Sequence, residues 1–244
     1  MTKVILHGAC GRMGQEVQAL IANNDALELV AMVDAMGSEG VYTDIAQCNV
    51  EADVIIDFSS AAATDALLAY AVDKNIPVII ATTGHSAAQI EAIHAAAEKT
   101  AVFYSANMSL GVYLLVALAK QTAAMMPDAD IEIIETHHNR KVDAPSGTAL
   151  MIANALKTVR ESAQFVFGRQ GASKRQAGEI GIHAVRRGNI VGTHEVIVST
   201  DNQSITLKHE AHSRALFAEG AVSAALYMDG KTAGLYDMNS IVNA

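Results

Sequence analysis

Short β-branched runs alternate with longer Ala-rich stretches of helical character through the first 108 residues, and this rhythm constrains the fold more than any other feature. Strands are predicted at Lys3–His7, Glu28–Val33, Val54–Phe58, Val78–Ala81 and Ala101–Ser105. Helices are predicted around Arg12–Ala22, Ala63–Lys74 and Ala87–Lys99. The runs Val54-Ile55-Ile56 and Val78-Ile79-Ile80 are apolar on both faces, as central strands of a covered parallel sheet must be. Repeated βα units join such strands through right-handed crossovers and place helices on both sides. The expected class is α/β, with a doubly wound parallel sheet.

The rhythm changes after Met108. A helix over Leu110–Met126 precedes a strand at Asp130–Thr136, a loop holding Pro145, and a helix from Ser146 to about Glu161. Gly188-Asn189 separates two apolar-polar stretches and reads as a hairpin turn. Ile190–Thr200 and Ser204–Ala211 read as long strands joined at Asp201-Asn202. Strands adjacent in sequence imply an antiparallel or mixed sheet, so residues 109–213 are expected to form an α+β domain. Leu216–Asp229 has a helical pattern expected to pack back on the first domain, which then comprises 1–108 and 214–244. The chain would cross between the two near Asn107 and near Arg214.

Composition removes several function classes. Of 244 residues, 51% are hydrophobic and 18% charged, which excludes disorder and allows two cores. Lys and Arg number 17 against 26 Asp and Glu, a formal charge of −9, which argues against nucleic acid or an anionic membrane as partner. The longest apolar stretch, Leu110–Ala119, is far shorter than the roughly 20 residues that span a bilayer. Met1-Thr2-Lys3 runs directly into Val4-Ile5-Leu6, so no export is expected. Cys10 and Cys48 have neither metal nor redox spacing, and the expected location is the reducing cytoplasm.

The first strand ends in His7-Gly8-Ala9-Cys10-Gly11-Arg12-Met13-Gly14. Glycines permit a tight strand-to-helix turn and a close backbone approach to a pyrophosphate, which then lies on the helix N-terminus. Asp34 ends the second strand, where a carboxylate accepts hydrogen bonds from an adenosine ribose. Together these point to a dinucleotide.

The segment Glu135-Thr-His137-His138-Asn139-Arg140-Lys141-Val142-Asp143-Ala144-Pro145-Ser146-Gly147-Thr148 leaves a strand and enters a helix. Pro145 forbids helix through the loop, Ser146 suits an N-cap, and the amides after it are unpaired. A helix start beside His and Lys favours a carboxylate, and a histidine titrating near neutrality suits general acid work. No metal is expected. The adjacent histidines with Glu135 could ligate one, but neighbouring strand residues face opposite sides and no fourth ligand is spaced to match, and His209-Glu-Ala-His212 misses the H-E-x-x-H spacing by one residue.

The pattern E-x-H-H-x-x-K-x-D-A-P-S-G-T-A from Glu135 to Ala149 resembles the signature of the 4-hydroxy-tetrahydrodipicolinate reductase family of the diaminopimelate branch of lysine biosynthesis, formerly called dihydrodipicolinate reductase. The loop Gly8–Gly14, Asp57-Phe58-Ser59, Ala81-Thr82-Thr83-Gly84, Ser105-Ala106-Asn107-Met108, Glu179-Ile-Gly-Ile-His183 and Ile190-Val-Gly-Thr-His194 also match in order. The resemblance covers essentially the whole chain. It implies a Rossmann-like cofactor domain for NADH or NADPH and a substrate and oligomerisation domain with a mixed sheet, in a homotetramer. It implies His137 as proton donor or acceptor and Lys141 as proton donor, with His138, Gly147 and Thr148 holding a cyclic dicarboxylate. Cofactor contacts are implied at Gly8, Ala9, Cys10, Gly11, Arg12, Met13, Asp34, Ala81, Thr82, Thr83, Ser105, Ala106, Asn107 and Met108. Asp34 opposes a 2′-phosphate and Ala35-Met36 offers no basic partner, so NADH is the expected preference, moderated by Arg12.

Two other readings fit the same frame: an NAD(P)-dependent amino-acid dehydrogenase, and a catalytically silent nucleotide-sensing protein. Intact His137, His138 and Lys141 speak against silence. The stretch Gly168–Arg187 carries Arg169, Lys174, Arg175, Arg186 and Arg187 against Glu179 alone, and is expected either to stay merely solvated or to form a positive rim that steers a dianion.

Overall fold

The computed structural model describes every residue except Ala106. In chain order the elements are β1 (Thr2–His7), α1 (Arg12–Ala22), β2 (Leu27–Val33), β3 (Val41–Tyr42), β4 (Val54–Asp57), α2 (Thr64–Lys74), β5 (Val78–Ile80), α3 (Ala87–Ala97), β6 (Ala101–Tyr104), α4 (Leu110–Met125), β7 (Asp130–His137), α5 (Gly147–Lys157), β8 (Gln164–Phe167), β9 (Glu179–Arg186), β10 (Gly192–Thr200), β11 (Gln203–Ala211), α6 (Ala215–Met228), β12 (Gly234–Tyr236) and α7 (Met238–Val242). They form two compact units, Met1–Ser109 with Ala215–Ala244, and Leu110–Arg214.

The first unit is built on a seven-stranded sheet, ordered β12-β6-β5-β4-β1-β2-β3, in which every pairing is parallel. Ile5, Ile55, Ile80 and Val102 face Leu67, Leu68 and Ile93 of α2 and α3 across one side. On the other side α1 and α6 pack together, and α6 lies against β4, β1, β5 and β6. Such a sheet is dry on both faces: Val4, Ile5, Leu6, Val54, Ile55 and Ile56 are all fully buried. Burying each side chain of this size contributes about 1.5–3 kcal/mol before conformational entropy is set against it. Both edge strands of this sheet went unpredicted, as did β8 at an edge of the second unit's sheet. β3 has two residues and β12 has three, too short to show any periodicity.

The second unit has a five-stranded mixed sheet, ordered β11-β10-β7-β9-β8. β10 runs antiparallel to both β11 and β7, whereas β9 is parallel to β7 and to β8. Ile131, Ile133, Ile180, Ile182, Val196 and Val198 pack beneath α4 and α5 on one face.

The hairpin expected at Gly188-Asn189 does not form. β9 and β10 never pair, because β7 lies between them. The connecting residues pass over the end of β7 instead. Arg187 N donates to His137 O at 2.9 Å, His138 N to Ile190 O at 2.8 Å, and Asn139 N to Gly188 O at 3.2 Å. A turn signal reports a local reversal and says nothing about how many strand widths the reversal spans.

Candidate active site

Alternation along β7 continues the buried side of the strand past its apolar residues. Ile131 and Ile133 face the core, so Glu135 and His137, spaced by two, face the same way. Glu135 has no exposed surface and His137 is 8% exposed. A carboxylate in that position must be paired, or it costs several kcal/mol. Glu135 has three partners. Its Oε2 lies 2.6 Å from His137 Nδ1, Arg186 donates through Nη1 to Oε2 and through Nη2 to Oε1 at 2.8 Å each, and the Ser146 amide donates to Oε1 at 2.9 Å. Burial pushes the carboxyl up, but the hydrogen bonds from His137, Arg186 and Ser146 outweigh it and hold it at about 2. The parallel register sets His137 opposite Arg186, the last residue of β9, which explains how the guanidinium arrives.

β10 closes the other side. His194 is buried, its Nε2 3.1 Å from Ser146 Oγ and its ring 5.2 Å from that of His137, edge to face. Desolvation, then the neighbouring His137, drives His194 down to about 4, so near neutral pH it is an uncharged imidazole. Ser146 Oγ also caps α5 by accepting from Ala149 N at 3.2 Å. At Gly192 any Cβ would come within 3.0 Å of His137 Nε2, so glycine keeps space beside the nitrogen that Glu135 does not hold.

Beyond β7 the loop turns positive. Lys141 Nζ lies 2.9 Å from Asp143 Oδ1. The Lys141 hydrogen bond, helped by the Gly147 amide, holds Asp143 below the usual carboxylate range. His138 is depressed by desolvation and by the charges of Arg140, Arg214, His137 and Lys141 converging on it. Gly147 and Thr148 open α5 behind Ser146. One end of β7 thus gathers His137, His138, Lys141 and the start of α5. Sequence reasoning considered Glu135 only as a rejected metal ligand, did not single out Arg214 as a site residue, and named His194 only within a motif. The i, i+2 relation of Glu135 to His137 was the available signal for the first.

Of the two readings of Gly168–Arg187, solvated charges or a positive rim, the ion pairs speak against the rim. Arg169 binds Glu179 Oε2 at 2.5 Å. Arg175 Nε lies 2.8 Å from Asp130 Oδ1, and its Nη1 is bonded to Glu132, for whose carboxyl Gly181 makes room. Arg186 is committed to Glu135. Three of the five cations therefore neutralise acids of the sheet, leaving Lys174 and Arg187 exposed.

In the first unit the glycine turn is closed on itself. Gly8 has φ +80°, and a Cβ there would fall 2.5 Å from the Phe58 carbonyl; one on Gly14 would fall 2.3 Å from Gly8 O. Gly11 is the N-cap of α1 and supplies no side-chain cap, so the first amides of the helix keep their donors for a ligand. Asp34 Oδ2 accepts from Cys10 N at 2.9 Å and Oδ1 from Met36 N at 3.0 Å, locking the carboxylate to the loop. Ala9 is buried, Cys10 and Met13 are half-buried, and Gly11 and Arg12 are exposed. Ala81, Thr82 and Thr83 follow β5, with Thr82 buried and Thr83 exposed. Ser105, Asn107 and Met108 follow β6, where Ser105 Oγ donates to Asn107 O at 2.9 Å and the Met108 carbonyl packs on Gly220. Ala106 lies outside the described residues. All these positions follow the carboxyl ends of parallel strands, where open α/β sheets bind ligands. The closed glycine turn and uncapped helix start fit a dinucleotide pyrophosphate. Among the described residues no helix is long and apolar enough to cross a membrane.

Comparison with known proteins agrees with this geometry. The family model described as dihydrodipicolinate reductase, N-terminus, matches residues 2–108, and that described as dihydrodipicolinate reductase, C-terminus, matches 111–242. The 4-hydroxy-tetrahydrodipicolinate reductase of Clostridium novyi (strain NT) is 46% identical over 250 aligned residues, covering 100% of this chain and 99% of the relative. That of Caldanaerobacter subterraneus subsp. tengcongensis is 45% identical, covering 99% and 98%. The dipicolinate-bound dihydrodipicolinate reductase from Paenisporosarcina sp. TG-14 superposes with a TM-score of 0.83 at 26% identity, covering 98% of this chain and 99% of that one. Matched along its whole length in both sequence and fold, this chain belongs to the dihydrodipicolinate reductase family.

Proposed function

We propose that the protein catalyses the NAD(P)H-dependent reduction of 4-hydroxy-tetrahydrodipicolinate to tetrahydrodipicolinate, a step of diaminopimelate and lysine biosynthesis. The observation that carries this reading is the buried Glu135–His137 pair at the end of β7, with Lys141 on the loop that leads from it into α5. In a chain of net charge −9, a lysine and a helix start beside an oriented imidazole suit a small dianion that must be both held and protonated.

A bound nicotinamide supplies the hydride. The protein supplies position and field. Reduction of a conjugated imine leaves an electron-rich centre that takes up a proton, and His137 is the donor in this reading. Glu135 fixes its Nδ1 side and leaves Nε2 for the substrate. Lys141, His138 and the amides of Gly147 and Thr148 hold carboxylate charge, and Lys141 adds a second proton source. The glycine turn, Asp34, Ala81–Thr83 and 105–108 hold the cofactor, with NADH preferred. We place the enzyme in the cytoplasm as a homotetramer, which sedimentation velocity tests.

The direct test is loss of NADH absorbance in the presence of freshly prepared aldol product of pyruvate and aspartate semialdehyde. Turnover that depends on this product is expected. Cofactor binding with no turnover overturns the reading in favour of a nucleotide sensor.

A further inference from the structure

We infer that Asp143 is an internal stand-in for a substrate carboxylate, held on the groups that receive the substrate and displaced when it binds. The inference deepens the reading above and rests on its assignment of Lys141 and the start of α5 to the dicarboxylate.

The geometry is that of a ligand already in place. Asp143 Oδ1 sits 2.9 Å from Lys141 Nζ, four residues before Gly147 opens α5, and the Gly147 amide helps hold its carboxyl below the usual range. A cation and a helix-start amide are the pair of groups proposed to take a carboxylate of the substrate. The ammonium is already occupied by a carboxylate two residues along the chain. If that carboxylate stays, an incoming anion meets a neutralised lysine and a like charge.

The loop is built so that only the side chain has to leave. Arg186 Nη2 donates to the Asp143 carbonyl at 2.6 Å, anchoring the backbone from below through the residue that also clamps Glu135. Above it, the Asp143 side chain is 58% exposed, and the adjacent Val142 is 96% exposed. Rotation about the Asp143 side-chain bonds therefore meets open solvent and breaks no packing. An ion pair this exposed is weak, so a dianion whose second carboxylate is also held in the site can displace it. The stand-in keeps Lys141 oriented before the substrate arrives, and it lowers the apparent affinity by the fraction of molecules in which it occupies the site.

Calorimetric titration of dipicolinate into the NADH-saturated protein at low ionic strength tests this, using the wild type, Asp143→Ala, Asp143→Asn, Lys141→Ala and the double variant Asp143→Ala with Lys141→Ala. Asp143→Ala is expected to bind about 2- to 5-fold more tightly than the wild type. Asp143→Asn is expected to shift in the same direction by less. The gain must vanish when Lys141 is already alanine, since the contest is over that ammonium. Equal or weaker binding by Asp143→Ala, with an unchanged melting temperature showing intact folding, overturns the stand-in while leaving Lys141 as a substrate ligand. Wild-type affinity in Lys141→Ala overturns the Lys141 assignment and the stand-in together.

Discussion

Arg186 meets Glu135 through two guanidinium nitrogens, each 2.8 Å from a different carboxylate oxygen, and so neutralises an acid that has no contact with solvent. The pair joins the ends of two parallel strands and stands directly behind His137. Positions 51 residues apart in sequence thus determine how one imidazole is held.

Removing one partner of a buried pair strands the other, at a cost of about 3–5 kcal/mol. Arg186→Leu is expected to lose stability of that order in urea unfolding of the second unit's signal. A loss below about 1 kcal/mol would mean that water reaches Glu135 and the clamp is not structural.

Acid should destabilise the fold in two separate windows. Glu135 is held at about 2 against an ordinary 4.5, so its contribution is present above pH 4.5 and is lost as pH falls towards 2. His194 is depressed to about 4 from 6.5, so its contribution is complete above pH 6.5 and falls away as the pH approaches 4. Stability measured against pH should lose its upper slope in His194→Gln and its lower slope in Glu135→Gln. Two variants with the wild-type profile would contradict both assignments.

The proposed preference for NADH rests on a fixed carboxylate. Two amides, from Cys10 and Met36, hold Asp34, so in the proposed site it would stay against a 2′-phosphate. A moderate advantage of NADH over NADPH in kcat/KM is expected, with Asp34→Ser shifting the ratio towards NADPH. A clear NADPH advantage in the wild type would show that exposed Arg12 outweighs Asp34.

Lys141→Ala should lower turnover and raise KM for the dicarboxylate together if, as proposed, the same ammonium both binds and donates. A steady-state comparison showing unchanged KM would remove the binding role.

The parallel sheet was legible because its strands are apolar on both faces, a pattern that Val54–Ile56 and Val78–Ile80 carry without help from the rest of the chain. β3 and β12 were not, since two or three residues at a sheet edge carry no period. The passage from β7 through Pro145 into α5 could be read from its residues, as could the tight turn at Gly8–Gly14. What could not be read is pairing at a distance. Gly188-Asn189 looks the same whether it joins neighbours or carries the chain over β7. Arg186 looks like one more surface cation until the β7–β9 register sets it opposite His137.

His137→Gln separates chemistry from binding most sharply, because His137 lies in the second unit and the glycine loop in the first. With fresh aldol product, turnover should fall about 10²–10⁴-fold, the range for loss of a general acid, while the NADH dissociation constant stays within about twofold of the wild type. Wild-type turnover in this variant would contradict the role of the Glu135-held imidazole as the proton donor.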